Sequence, residues 1–188
     1  FAAVKACADP VVLHAMNSYG VGFDCTNKLE MMAVLEMGVS PDRVLCACTI
    51  KCPSHLKYAS EHGVDLMTFD SAEELVKMKD QNARYALLLR VVASNVGSKV
   101  SFNEKFGAHP EEVEGVLQLA HKMGLNVVGV AFHVGASYSH PEIFAHSIAE
   151  AKMAFDIGTS LGFRMTILDI GGGFPGSSRK RDLFLQVI

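Results

Sequence analysis

The chain has 188 residues, of which 49% are apolar and 20% charged, so it holds enough apolar material for one sizeable core. This apolar fraction excludes a disordered chain, and 16 glycines and 6 prolines without a short period exclude a collagen-like or linker sequence. The formal charge of −3 gives no electrostatic reason to expect a nucleic acid or an anionic membrane as partner. No apolar run in the sequence is long enough to cross a bilayer.

The cysteines and the first residues bear on the origin of the chain. Five cysteines, an odd number, do not resemble the disulfide framework of a secreted protein, so we expect a cytoplasmic protein. Cys46, Cys48 and Cys52 are spaced as thiolate ligands could be, but no second ligand pair follows, and we predict buried free thiols and no metal. The chain begins at Phe1 without a secretion signal, and we expect a fragment of a longer protein.

Seven short apolar runs recur along the chain, and a helix-like stretch follows each of them. The first five runs begin 20 to 22 residues apart. Several are apolar at nearly every position, which is typical of strands covered on both faces of a parallel sheet. The predicted strands are residues 1–5, 21–25, 43–47, 65–69, 86–92, 126–133 and 165–170.

The stretches between the runs carry helix signals. Pairs of residues that typically begin helices occur three times, as Asp9/Pro10, Asn27/Glu30 and Ser71/Glu74. In the longest stretch, four apolar residues recur at helical spacing and predict a buried stripe; they are Phe144, Ile148, Ala151 and Phe155.

Alternation of strands and helices leaves two α/β architectures, an open doubly wound sheet or a closed (β/α)8 barrel. No glycine-rich phosphate fingerprint follows the first strand, where an open dinucleotide fold would carry it. Seven units of nearly constant length favour the barrel. Because the eighth strand is missing, we predict an incomplete TIM-type barrel.

In such barrels, reactive groups gather at the carboxyl ends of the strands. Lys5 ends the first predicted strand, where a buried ammonium group would be costly but would have a lowered pKa and could form an imine. The alternative is a lysine that reaches solvent. Glycines 171–173, here called the glycine segment, end the seventh strand and suit either a phosphate site or a tight turn. An imine-forming lysine and a phosphate loop together predict pyridoxal phosphate.

Seven motifs along the whole chain stand out in register. They are Phe1-Ala-Ala-Val-Lys5, Gly22-Phe-Asp-Cys25, Lys57-Tyr-Ala59, Met67-Thr-Phe-Asp70, Lys105-Phe-Gly107, Phe132-His-Val-Gly135 and Leu168-Asp-Ile-Gly-Gly-Gly-Phe-Pro-Gly176. These motifs resemble those of the eukaryotic ornithine decarboxylase and antizyme inhibitor family. This family belongs to the wider group of alanine-racemase-like barrel decarboxylases that act on ornithine, arginine and diaminopimelate.

The resemblance implies a role for each candidate site residue. Lys5 and His133 are the catalytic residues, Lys5 through an imine with pyridoxal 5′-phosphate and His133 by stacking on its ring. The other residues implied to bind the cofactor are Asp24, Arg90, Gly171, Gly172 and Gly173, and Glu30 is implied to line the pocket. The implied reaction is decarboxylation of ornithine to putrescine, in which the pyridinium delocalises the charge left by CO2.

The resemblance also implies a domain and partners. Residues 1–188 correspond to the cofactor-binding barrel domain, truncated at both ends and without the family's C-terminal β domain. The full-length protein is implied to be a homodimer with shared active sites, so we expect the fragment alone to be inactive. Lys28, Lys57 and Lys77 fall at basic positions of the family's antizyme-binding surface, although three solvated helix lysines are an equal alternative.

Departures from the family pattern leave two rival functions open. Ala2 and Cys7 replace an aromatic residue and an asparagine, residues 48–51 differ from the usual Asn-Pro-Cys-Lys, and Ala136 replaces a serine that bonds the cofactor phosphate. Loss of that hydrogen bond would cost about 1.5–3 kcal/mol. The rivals are an antizyme-inhibitor-like protein without catalysis, favoured by Ala136, and a sister decarboxylase for another amino acid. Asp24 and Gly135 favour the enzyme.

Overall fold

A computed structural model describes residues 1–82, 84–93, 105–135, 141–174 and 181–185 of the chain. The strands in these residues are parallel and pair in chain order from β1 to β7. They are β1 (Ala2–Ala3), β2 (Phe23–Cys25), β3 (Val44–Cys46), β4 (Leu66–Phe69), β5 (Ala86–Arg90), β6 (Asn126–Ala131) and β7 (Ile167–Asp169). The α-helices are α1 (Pro10–Ser18), α2 (Lys28–Glu36), α3 (Pro53–Glu61), α4 (Ala72–Gln81), α5 (Pro110–Lys122), α6 (Glu142–Ser160) and α7 (Arg181–Leu185).

The predicted architecture is confirmed. Each predicted apolar run contains a strand, shorter than the run, and an α-helix follows each strand. The sequential order of parallel strands is that of an incomplete barrel, with β1 and β7 at the two edges of the sheet. Within the residues described, the structure has no helix of the length and apolarity that a membrane span needs.

The two faces of the sheet bury two different apolar clusters. Leu88 in β5 belongs to a small cluster with Leu45 and Ala131, whereas its neighbours Leu87 and Leu89 belong to the large core between sheet and helices. Successive strand side chains point to opposite faces. Burial of both faces therefore explains why the strands read as continuous apolar runs.

The predicted helix starts are present in the structure. The Asp9 carboxylate accepts a hydrogen bond from the Val11 N–H at 2.8 Å, at the start of α1. Asn27 accepts one from the Glu30 N–H at 3.0 Å, at the start of α2. The start of α4 is only half a capping box: Ser71 Oγ accepts from the Glu74 N–H at 3.3 Å, but the Glu74 carboxylate turns inward.

The inward turn of Glu74 meets a buried lysine. Lys51 Nζ lies 2.9 Å from Glu74 Oε1, and the side chains are 0% and 2% exposed. The same Nζ donates to the carbonyl oxygens of Thr68 at 2.6 Å and Cys48 at 3.0 Å. Lys77, one turn further along α4, pairs with the other Glu74 oxygen. This ion pair joins the start of α4 to the carboxyl ends of β3 and β4.

The predicted buried stripe of α6 is wrong at one position. Phe144 and Ala151 are buried and Phe155 is half-buried, but Ile148 is 41% exposed. Ser147, 1% exposed, faces the core instead. The apolar pattern places Ile148 on the buried face of α6 because only apolar residues are counted. The small polar residue Ser147 takes that position instead.

Candidate functional site

The carboxyl ends of the strands bring together most of the residues singled out from the sequence. Lys5 lies in a 3-10 turn, Val4–Ala6, directly after β1, and Asp24 lies within β2. Arg90 ends β5, and His133 follows β6 by two residues. The glycine segment follows β7 in the same way. Because parallel strands end at one edge, these groups share one mouth of the incomplete barrel.

Lys5 is exposed in this structure, as in the alternative of a solvent-reaching lysine that the sequence left open. The reason is its place in the fold: β1 is an edge strand of two residues, and Lys5 lies beyond its end. Its positive charge lowers the pKa of both Asp24 and His133. Lys5 follows β1 at the end of the sheet where β2 and β6 also place those two residues.

Asp24 has a buried carboxyl group at this mouth. Its Oδ1 atom is buried and has no hydrogen-bond partner among the residues that the structure describes. Burial raises the pKa of the carboxyl; the Lys5 ammonium lowers it, and Asp169 and Glu30 raise it further. Burial outweighs the neighbouring cation, so this carboxyl holds its proton at a higher pH than an ordinary aspartate.

His133 is a neutral imidazole with a defined tautomer. Burial lowers its pKa, and the Arg90 and Lys5 cations lower it further. Its Nδ1 atom accepts a hydrogen bond from the Gly135 N–H at 2.9 Å. The proton of the neutral ring is thereby assigned to Nε2.

The glycine segment lies against this imidazole without side chains between them. A Cβ atom added to Gly172 would lie 3.3 Å from His133 Nε2. One added to Gly171 would overlap the Phe132 carbonyl oxygen and lie 2.9 Å from His133 Cα. Gly171 and Gly173 have φ values of 67° and 92°, which favour glycine. The segment therefore forms the positive-φ turn that the sequence allows, and Gly171 is required by its packing against Phe132 and His133.

Arg90 ends β5, two strands from the edge strand β7. Burial lowers its pKa, and the carboxylates of Asp70, Asp169 and Asp24 raise it. Its guanidinium carbon lies 4.9 Å from the centre of the Phe106 ring, so the cation packs against an aromatic face.

Glu30 has its oxygens engaged at the start of α2. One accepts from the Thr26 N–H at 2.6 Å and the Thr26 hydroxyl at 2.9 Å, and the other accepts from Asn27 Nδ2 at 2.9 Å. Its charge still reaches Asp24. Glu30 therefore borders the mouth, but its oxygens are used to stabilise the first turn of α2.

Two further residues contribute to the mouth, although the sequence alone assigns them no role. Asp70, the residue after β4, accepts a hydrogen bond from the Gly107 N–H at 3.0 Å. Phe106 covers Arg90 from the connection 94–108, of which the structure describes residues 105–108. Asp70 carried a usable signal, because it directly follows a strand, where the reactive groups of such barrels gather. Phe106 stands in the motif Lys105-Phe-Gly107, but this motif gives no sign of a contact with Arg90.

The cysteines and the substituted positions are distributed as follows. Cys25 and Cys46 are buried, and burial raises the pKa of both thiols, that of Cys46 to about 11. Cys7 and Cys52 are exposed, Cys48 is half-buried, and all five thiols are free. No cluster of three or more metal-ligating side chains occurs in the part of the chain described here. Ala136 lies outside the described residues.

The three lysines of the predicted partner surface differ in their exposure and in their contacts. Lys57 is 72% exposed and lies 3.8 Å from Glu61. Lys28 Nζ lies 5.1 Å from the centre of the Tyr58 ring, so α2 and α3 meet at this contact. Lys77 is 31% exposed and is bound to Glu74. Lys57 is therefore the most readily available to a partner.

Comparison with known proteins matches residues 1–184 to the family model described as pyridoxal-dependent decarboxylase, pyridoxal binding domain. Ornithine decarboxylase of Schizosaccharomyces pombe is 42% identical over 95% of this chain, and human antizyme inhibitor 2 is 36% identical over 100%. Among solved structures, the arginine decarboxylase of Paramecium bursaria Chlorella virus superposes with a TM-score of 0.92 over 99% of this chain at 35% identity. It has also been solved with agmatine bound.

These matches cover only part of each relative. The chain spans 41% of the length of both curated relatives and 52% of the solved viral chain.

Proposed function

We propose that this chain, which belongs to the family of pyridoxal-dependent decarboxylases, forms the cofactor-binding part of an enzyme that converts ornithine to putrescine and CO2. The observation that carries the proposal is the common mouth shared by Lys5, His133 and the glycine segment. The ornithine decarboxylase of S. pombe, 42% identical, supports ornithine over arginine or another amino acid. We also propose that the full-length protein is a cytoplasmic homodimer.

The residues present fit pyridoxal phosphate. A Cβ atom on Gly171 would overlap the Phe132 carbonyl oxygen, and the Gly171 N–H donates to Asp169 Oδ1 at 2.8 Å, so Gly171 serves the turn itself. The backbone N–H groups of Gly172 and Gly173, which carry no side chain, would be the donors to a phosphate. Lys5 would hold the aldehyde carbon of the cofactor, and the flat face of His133 would pack against its ring. When bound, the cofactor supplies an electron sink that accepts the charge left on carbon as CO2 departs.

The charges of the mouth orient this chemistry. A neutral His133 would pack against the cofactor ring without adding a cation next to Lys5 and Arg90, and burial favours this neutral form. Asp24 Oδ1 is buried and free to accept a proton or a hydrogen bond from a bound amine. Its raised pKa makes the carboxyl a proton carrier closer to neutral pH than an ordinary aspartate.

Arg90 and Lys5 are cations that the mouth offers to an anionic group, among the carboxylates of Asp24, Asp70 and Asp169. A guanidinium recognises phosphate and carboxylate groups through paired N–H donors. An amino-acid substrate and a phosphorylated cofactor both bring such groups. Arg90 is therefore proposed to orient the cofactor. Glu30 is proposed to stabilise the start of α2, next to Asp24.

Covalent trapping tests the proposal directly. The full-length protein would be incubated with pyridoxal 5′-phosphate, reduced with borohydride and digested for peptide mapping. We expect one adduct, on Lys5, which disappears in Lys5→Ala and persists in the exposed control Lys57→Ala. An adduct on another lysine, or none, would reject the proposal. CO2 release from ornithine, arginine and lysine then decides the substrate.

A second candidate is a protein that binds antizyme without catalysis. Human antizyme inhibitor 2 is 36% identical over the whole chain, and Ala136 replaces the family serine. Lys28, Lys57 and Lys77 would then face an acidic partner. Binding of purified antizyme without CO2 release from ornithine would favour this candidate, and Lys57→Glu would weaken that binding. CO2 release at enzyme-like rates would exclude it.

A further inference from the structure

Asp70 has no role in the proposed chemistry, yet it links two segments at the mouth. It follows β4 directly, and its Oδ2 atom accepts the Gly107 N–H at 3.0 Å across 37 residues of sequence. Gly107 has a φ of 102°, and a Cβ atom there would lie 2.6 Å from the Val92 nitrogen. The chain at Gly107 is therefore pressed onto the end of β5.

Residues 106–108, here called the return segment, are hydrogen-bonded to β5 around Arg90. The Ala108 N–H donates to the Arg90 carbonyl oxygen at 2.9 Å. The Val92 N–H donates to the Ala108 carbonyl oxygen at 3.1 Å. These bonds form a parallel bridge between Val91 and Ala108.

The return segment places Phe106 beside the Arg90 guanidinium, at 4.9 Å from the ring centre. The Asp70 carboxylate accepts a hydrogen bond from the Gly107 N–H and also raises the pKa of Arg90, the residue that this segment covers. Asp169 and Asp24 are the other carboxylates that act on Arg90. Unlike them, Asp70 also holds the segment that covers Arg90.

We infer that Asp70 is a positioning residue, which fixes the return segment on β5 and thereby keeps the Arg90 guanidinium oriented toward the mouth. What Arg90 then binds rests on the proposed function. The anchoring itself does not, because it concerns contacts within the cofactor-free chain. The two parts of the inference can therefore be tested separately.

The anchoring is tested on the cofactor-free full-length protein. In Asp70→Ala, we expect hydrogen exchange at the Gly107 amide and trypsin cleavage after the exposed Lys105 to become about tenfold faster, as for loss of one charge-assisted hydrogen bond. Asp70→Asn keeps an acceptor oxygen and should give a smaller change. The control is Asp65→Asn, because Asp65 precedes the same strand at its other end. Unchanged exchange and cleavage in a folded Asp70→Ala would overturn the inference.

The orientation of Arg90 is tested with pyridoxal 5′-phosphate as the probe. We expect Asp70→Asn to weaken cofactor binding and to raise KM for the amino acid more than it lowers kcat, with Asp70→Glu restoring part of both. Equal cofactor affinity in Asp70→Asn and the parent protein would overturn this part. If Asp70→Ala does not fold, exchange at Gly107 in Asp70→Asn decides the anchoring. If the parent protein binds no cofactor, the proposed function fails, while the exchange measurement still decides the role of Asp70.

Discussion

The Nε2 atom of His133 lies 3.3 Å from the position that a Cβ atom would take on Gly172. This distance is shorter than a comfortable contact, so a methyl group on Gly172 must displace the imidazole. We predict that Gly172→Ala weakens pyridoxal phosphate binding by on the order of tenfold, equivalent to about 1.4 kcal/mol, with little loss of stability. Titration of the cofactor-dependent visible absorbance measures the affinity.

The matched control for this change is Gly115→Ala. Gly115 lies within α5, and a Cβ atom there would contact nothing within 4 Å. Alanine in a helix interior should stabilise the protein by about 0.5–1 kcal/mol and leave cofactor binding unchanged. Equal affinities of Gly172→Ala and Gly115→Ala would show that the glycine segment does not border the cofactor.

Asp24→Asn should stabilise the cofactor-free protein at neutral pH. The native carboxyl has a raised pKa, so the native state binds this proton more tightly than the unfolded state does. The free energy of unfolding therefore falls as pH rises from 3.8 through the native pKa, and Asp24 remains destabilising above it. A neutral amide avoids most of this cost, and we expect a gain of about 1 kcal/mol at neutral pH.

Urea unfolding at several pH values checks this prediction. The gain should disappear toward about pH 3, where the carboxyl is protonated in both states. A gain of the same size at every pH would contradict a titrating carboxyl as its source.

His133 should make stability depend on pH in the opposite direction. Its native pKa lies below the ordinary value of 6.5 because of burial and then the Arg90 and Lys5 cations. As pH falls through 6.5, His133 becomes protonated in the unfolded state before it does in the native state. The free energy of unfolding therefore decreases. His133→Gln should flatten this part of the pH profile. An NMR titration midpoint of His133 at or above 6.5 would contradict the prediction.

Because the ion pair between Lys51 and Glu74 is buried, we expect a single substitution to lower the free energy of unfolding much more than the paired substitution does. Glu74→Ala leaves the Lys51 ammonium buried without its carboxylate, and we expect a loss of about 3–5 kcal/mol. Lys51→Met combined with Glu74→Leu removes both charges and should cost far less than Glu74→Ala alone.

An exposed pair serves as the comparison for the buried one. Glu61→Ala breaks the contact with Lys57, whose side chain is 72% exposed, and should cost less than about 1 kcal/mol. Chemical denaturation measures all three variants. Similar losses for Glu61→Ala and Glu74→Ala would contradict the role assigned to burial.

The sequence predicts the features of this fold that depend on local pattern. Continuous apolar runs mark strands buried on both faces, and Asp9 before Pro10 marks the start of α1, because each signal acts within a few residues. The pattern fails at Glu74, whose carboxylate is taken by Lys51, 23 residues away. No local pattern identifies a partner that lies 23 residues away.

The same limit applies to the candidate site. Its strand-end members, such as Asp24 and Arg90, follow from the topology, because parallel strands end at one edge. The exposure of Lys5 does not follow, since it depends on which strand forms the edge. The link from Asp70 to Gly107 does not follow either, because a hydrogen bond across 37 residues leaves no trace in local spacing.

The two edges of the sheet have a consequence for the size of the site. Lys5 follows one edge strand, β1, and the glycine segment follows the other, β7. A single further strand bonded to both edges would separate them by two interstrand spacings, about 10 Å. The spacing between the backbones at Lys5 and at the glycine segment would then be fixed by backbone hydrogen bonding rather than by the side chains at either end.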